Sequence, residues 1–134
     1  MSARKTILVV ESNLKDLRLC RDLLELRGHD VMEAVDGLEG ISLARLHRPD
    51  LILMDVALPL MSGEEALNIL NSKPETKNIP VIAFTGFAMK GDKERFLEIG
   101  FNGYIAKPVD TRKFVPQMEK YLQIPQIPQI PRKS

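Results

Sequence analysis

An α/β fold built on a doubly wound, five-stranded parallel sheet with five helices is predicted by three features of this 134-residue sequence. Short apolar runs alternate with longer amphipathic stretches from Lys5 to Leu122, the rhythm of strands joined by crossover helices. Two of the runs, Ile7-Leu8-Val9-Val10 and Leu51-Ile52-Leu53-Met54, are apolar without alternation, as strands covered on both faces must be. The length suits one domain with one core.

The elements follow in order. Ile7 to Val10 is the first strand, and Asn13 to Arg27 the first helix, with Leu17, Cys20 and Leu24 on its inner side and Lys15, Arg18, Asp22 and Glu25 opposite. Gly28 ends that helix; Val31 to Ala34 is the second strand, and Gly37 to His47 the second helix, offering Leu43, Ala44 and Leu46 for burial before Pro49 stops it. Leu51 to Met54, the most apolar run, belongs at the centre of the sheet. Leu58 to Gly63 is a loop, Glu64 to Asn71 a short helix, and Pro80 to Phe84 the fourth strand. Met89 to Ile99 is a helix stopped by Gly100, and Gly103 to Ala106 the fifth strand. The last helix lies within Asp110 to Leu122, burying Phe114, Met118, Tyr121 and Leu122 and either beginning near Pro116 or kinking there. Gln-Ile-Pro is repeated three times from Gln123, and residues 124–134 are a proline-rich tail beyond a domain spanning 1–123.

Composition excludes several classes. Hydrophobic residues at 44% and charged residues at 28% fit a globular chain rather than a disordered one. A net charge of +1 supplies no field that would point to nucleic acid or a membrane surface. A single cysteine, Cys20, rules out an internal disulfide and reads as a core residue. No apolar run approaches the roughly 20 residues of a membrane span, and Met1 to Thr6 contains no signal-peptide core, so the expectation is a soluble cytoplasmic protein. His29 and His47, beside helix ends, read as surface histidines.

In an open parallel sheet, ligands bind beyond the carboxyl ends of the strands. There the sequence places Glu11 and Ser12 after the first strand, Asp55 after the third, Thr85 after the fourth, and Lys107-Pro108 after the fifth. Carboxylates, a hydroxyl and an ammonium converging on one edge outline a phosphoryl and metal site.

Ile7-Leu8-Val9-Val10-Glu11, Pro49-Asp50-Leu51-Ile52-Leu53-Met54-Asp55, the Leu58-Pro59 to Met61-Ser62-Gly63 loop, Pro80-Val81-Ile82-Ala83, Thr85 and Gly103-Tyr104-Ile105-Ala106-Lys107-Pro108 make the chain resemble the CheY-like receiver domains of bacterial response regulators. Phe87 to Asp92 is similar to the single-domain cell-cycle regulators of the DivK type. The resemblance implies a flavodoxin-like strand order, 2-1-3-4-5, and a phosphoryl group transferred to Asp55 from a sensor histidine kinase or a histidine phosphotransfer protein. It implies Mg²⁺ held by Glu11, Asp55 and the backbone carbonyl of Ala57, with Lys107 neutralising the phosphoryl group. Thr85 and Tyr104 form the switch, which reshapes the surface of the fourth helix, fifth strand and fifth helix for a downstream protein; a cis Lys107-Pro108 bond is also implied. The expected protein is a phosphoacceptor with self-catalysed chemistry rather than a turnover enzyme. It stands alone as a monomer or weak dimer, and it binds neither nucleic acid nor membrane.

The chain departs from the family pattern at Ser12, where an aspartate usually completes the acidic pair, so the Mg²⁺ site is expected to be weaker than usual. Asp16, one turn further on, is expected to face solvent. Gly86, commonly alanine in the family, leaves the phosphoryl position open to water, and Ser62 for the common aspartate reads as incidental. Two alternatives are a pseudo-receiver that binds partners without phosphorylation, and a flavodoxin-like cofactor binder. The second lacks a hydroxyl-rich phosphate loop, since Glu11 stands where a phosphate would sit.

Overall fold

A computed structural model describes residues 4–86 and 91–122. Five parallel strands, β1 (Thr6–Val10), β2 (Asp30–Ala34), β3 (Leu51–Asp55), β4 (Val81–Thr85) and β5 (Gly103–Ala106), lie in the order β2-β1-β3-β4-β5. The predicted class and strand order are both observed. Between and after the strands run α1 (Leu14–Leu26), α2 (Gly37–His47), α3 (Gly63–Ser72), α4 (Asp92–Ile99) and α5 (Phe114–Leu122). The proline-rich tail, and Met89 and Lys90 of the predicted fourth helix, lie outside the described residues.

Each of the first three helices starts on a side-chain cap. Asn13, Asp36 and Ser62 accept hydrogen bonds from the backbone N–H of Asp16, Glu39 and Glu65, which satisfies donors that have no partner within the helix. Ser62 is therefore not incidental: with Glu65 it closes a reciprocal capping box that fixes the start of α3. Pro116 is the third residue of α5, which begins two residues earlier than expected; in a first turn its missing N–H costs no helical hydrogen bond.

Alternation along the central strands divides the core into two layers. Ile7, Val9, Leu51, Leu53, Ile82 and Phe84 pack against Leu17, Cys20 and Leu24 of α1 and Phe114, Val115 and Met118 of α5. Leu8, Val10, Ile52, Met54, Val81 and Ala83 face the other way, onto α2, α3 and α4. Leu46 is 74% exposed, against expectation, because α2 turns Ile41 and Ala44 inward instead.

His29 also differs from its surface assignment: it is buried. Its Nδ1 accepts from the Lys5 N–H at 3.3 Å, which leaves Nε2 as the ring's donor to Glu119 Oε2 of α5 at 3.0 Å. Arg27 reaches the same carboxylate at 3.0 Å. The turn after α1 is thus tied to the last helix.

Helix α4 is held more lightly. It has eight residues, buries only Phe96, and lies between Gly91 (φ +94°) and Gly100 (φ +124°), both in the region that other residues avoid. A cavity of about 260 Å³, lined in part by Val56, Thr85, Phe96, Ile99 and Phe101, separates it from α3 and the strand ends.

Candidate functional site

Strand parity decides which side chains meet. Glu11, Asp55 and Lys107 continue the alternation that points Val9, Leu53 and Ile105 toward α1 and α5, so all three emerge on that face at the carboxyl edge of the sheet. Thr85 and Tyr104 have the opposite parity and lie on the α4 side, where Tyr104 packs against Phe96 with ring centroids 6.2 Å apart. The predicted constellation is therefore assembled as two groups back to back, a charged one and a hydroxyl-aromatic one. The Lys107 backbone N–H donates to the Thr85 carbonyl at 2.7 Å and couples them.

Lys107 is the common partner of the charged group. Its ammonium pairs with Glu11 Oε1, stands 3.4 Å from Asp55 Oδ2 and lies 4.7 Å from the centroid of the Phe84 ring, a cation–π contact. Asp55 Oδ1 accepts from the Ala57 N–H at 3.0 Å, and Glu11 Oε2 accepts from the Asn13 N–H at 2.9 Å, so each carboxylate is oriented by its own following loop. Glu11 Oε1 is fully buried, and apart from the ion pair to Lys107 it has no hydrogen bond of acceptable geometry. The Lys107-Pro108 peptide is cis, as the resemblance implied.

Asp16 corrects the expectation that it faces solvent. Its carboxylate is half-buried, with Oδ2 3.9 Å from the Lys107 ammonium, whereas Ser12 is exposed. The signal was in the sequence: Asp16 lies four residues before Cys20 and next to Leu17, on the apolar stripe of α1, and so shares the stripe's direction. Among the described residues no three acidic, imidazole or thiol groups are already grouped as metal ligands; the carboxylates of Glu11, Asp16 and Asp55 are gathered around the ammonium instead.

Electrostatics follow from burial. Loss of water pushes the Glu11 carboxyl above its ordinary value; the Asn13 N–H and Lys107 pull it back, and neighbouring Asp55 pushes it up again. Burial lowers Lys107, but Glu11 and Asp55 outweigh it and hold its ammonium above the ordinary lysine value. Beneath them the Cys20 thiol is pushed up to about 12, by burial first and then by Asp16 and Glu11, and is inert as a nucleophile.

A raised carboxyl value means that the folded state holds its proton more tightly than the unfolded chain. Glu11 thus adds stability below its unfolded value and loses it as pH rises through the folded one. In the absence of metal, Glu11→Gln should melt higher than wild type near pH 7, and the gap should close as pH falls below about 4, where both side chains are neutral. A gap that widens on acidification would contradict this assignment.

The sequence profile of the response regulator receiver domain matches residues 7–119. The chain belongs to that family. Among curated receiver-domain proteins, it is 46% identical over 118 residues to the polar-differentiation response regulator DivK of Brucella anthropi, a match that covers 88% of this chain and 96% of that protein. DivK of Brucella ovis is 45% identical over the same lengths. Among solved structures, this receiver domain superposes on the chemotaxis response regulator CheY4 of Vibrio cholerae with TM-score 0.83 at 23% identity, covering 89% of this chain and 99% of that one, a likeness of fold. It superposes on the receiver domain of a Pseudomonas aeruginosa sensor histidine kinase with TM-score 0.80 at 31% identity, covering 90% and 98%; that protein holds a magnesium ion in its active-site cleft. No helix among the described residues is long and apolar enough to cross a membrane.

Proposed function

We propose that this receiver domain accepts a phosphoryl group on Asp55 from the phosphohistidine of a sensor kinase or phosphotransfer protein, and that phosphorylation switches its binding to other proteins. The observation that carries this reading is the ammonium of Lys107 shared between buried Glu11 and Asp55 at the carboxyl edge of the sheet. A carboxylate oxygen of Asp55 attacks phosphorus, the phosphorus–nitrogen bond breaks, and the imidazole leaves as an acyl phosphate forms. Lys107 lies beside the forming acyl phosphate and offsets the negative charge that attack brings together.

The donor set suits a hard divalent cation. Glu11 and Asp55 offer carboxylate oxygens, buried Glu11 Oε1 is held only by the Lys107 ammonium, and the Ala57 carbonyl sits on an exposed loop two residues from Asp55. Glu11, Asp55 and the Ala57 carbonyl would hold Mg²⁺, which would supply Lewis-acid neutralisation of the phosphoryl oxygens. With Ser12 in place of an acid, we expect affinity below that of a site with two acidic residues after β1.

Thr85 and Tyr104 are the proposed switch, because they back onto the charged group, Thr85 lining the cavity beside α4 and Tyr104 packing on Phe96. The output surface is then α4, β5 and α5. Chemistry of this kind needs no turnover on a diffusing substrate, so the domain is read as a signalling protein rather than an enzyme. It acts in the cytoplasm as a monomer or weak dimer, without nucleic acid or membrane.

Incubation with acetyl phosphate and Mg²⁺, followed by intact mass, tests the reading. Wild type should gain one phosphoryl group and Asp55→Asn none. No gain by wild type at saturating metal would favour a scaffold that binds its partners unphosphorylated.

A further inference from the structure

We propose that Asp16 supplies the third negative charge of the cation site, making up from the first turn of α1 for the acid that Ser12 does not provide. The inference rests on the reading above and adds a residue to it. α1 covers the same face of the sheet from which Glu11, Asp55 and Lys107 emerge. The Asn13 side chain accepts from the Asp16 N–H at 3.1 Å, so the turn that carries this carboxylate is fixed at its start. Its Oδ2 lies 3.9 Å from the ammonium that also contacts Glu11 and Asp55, while Ser12, the nearer residue in sequence, is exposed.

Charge balance makes the point. Glu11, Asp16 and Asp55 set against Lys107 leave two negative charges in the cleft, which one divalent cation neutralises; without Asp16 only one would remain. The buried Glu11 Oε1, whose partner here is the Lys107 ammonium, is a carboxylate oxygen that such an ion would share. Mg²⁺ gives up its water reluctantly, and a carboxylate one turn away on a helix acts on it through a retained water rather than by direct contact. That makes Asp16 a positioning residue for the ion and its waters.

Magnesium titration by calorimetry on the full chain tests this with four proteins: wild type, Asp16→Asn, Ser12→Asp, and the double variant. Losing an outer-shell partner typically weakens metal binding about 10- to 100-fold, and Asp16→Asn should fall in that range. Ser12→Asp should bind more tightly than wild type. In its background Asp16→Asn should cost less than about 3-fold, because the missing charge has been restored closer to the ion. Metal-free melting temperatures report folding separately; Asp16→Asn should melt no lower than wild type, since the Asn13 cap binds its backbone. Unchanged affinity in Asp16→Asn, or equal losses in both backgrounds, would overturn the inference and leave the phosphoacceptor reading standing. Wild type that binds no Mg²⁺ would sink both.

Discussion

Lys107→Ala should slow phosphoryl uptake from acetyl phosphate by about 100-fold or more, the usual cost of removing one fixed group that meets developing charge. It should also destabilise the fold. Glu11 and Asp55 are both buried, at 1% and 5% exposure, and the ammonium is what separates their charges. Breaking a buried ion pair from one side costs about 3–5 kcal/mol, and the lower end fits here because Lys107 retains some contact with water. The packing of its stem and its contact with the Phe84 ring are lost as well. Lys107→Met separates these contributions: it keeps most of the stem and should share the rate defect while melting higher than the alanine variant. Time courses by intact mass and urea unfolding measure the two effects. Uptake within twofold of wild type in both variants would show that the ammonium is not the neutralising group.

The other large effect is expected at Gly63, which itself carries no charge. A Cβ there would stand 2.5 Å from the Asp55 carbonyl oxygen and 2.8 Å from the Val56 Cα, and both are backbone atoms with nowhere to rotate. The start of α3 is held against the end of β3 by the Gly63 N–H, which donates to the Val56 carbonyl at 3.1 Å. Gly63→Ala must therefore displace the strand end that carries Asp55, the proposed phosphoacceptor. Overpacking of this kind costs about 1–3 kcal/mol, and a shift approaching 1 Å at a reacting group can cost about 100-fold in rate. We expect a loss of about 2 kcal/mol and labelling at least about 10-fold slower. Gly86→Ala is the control: among the described residues its Cβ would meet nothing nearer than the Lys107 Cβ at 4.0 Å, so stability should stay within about 0.5 kcal/mol of wild type. Gly63→Ala labelled at the wild-type rate would mean that the strand end yields without moving Asp55.

Strands and charged strand ends were legible because the relevant signal is local. An apolar run buried on both faces, closed by a polar residue, looks the same in sequence as in space, and β1 and β3 with Glu11 and Asp55 emerged that way. Asp16 was misread through attention to residue type: a charged residue on a helix suggests solvent, although its spacing from Cys20 put it on the inner stripe. His29 was not legible at all, since its partners are Glu119, ninety positions away, and the backbone of Lys5. Leu46 shows the limit of counting apolar residues, because α2 had more of them than its buried face could take. Ser62 was dismissed for not being an acid, when what its position calls for is an oxygen to accept from the Glu65 N–H.

The light anchorage of α4 sets an order among the ways this domain can open. Removing Phe96 from its site costs about 2–3 kcal/mol of apolar burial, whereas α3 would have to expose Ala66, Leu67 and Leu70 together. The glycines at both ends of α4 act as pivots that need no strained intermediate, and the neighbouring cavity lets ring and helix shift before any strand is disturbed. Among the described helices partial unfolding therefore has a lowest rung, and it lies on the Tyr104 side of the sheet. Whatever repositions Thr85 and Tyr104 acts on the segment with the shallowest energy well. A modest local free energy there can change the shape of one surface while the rest of the fold stays put.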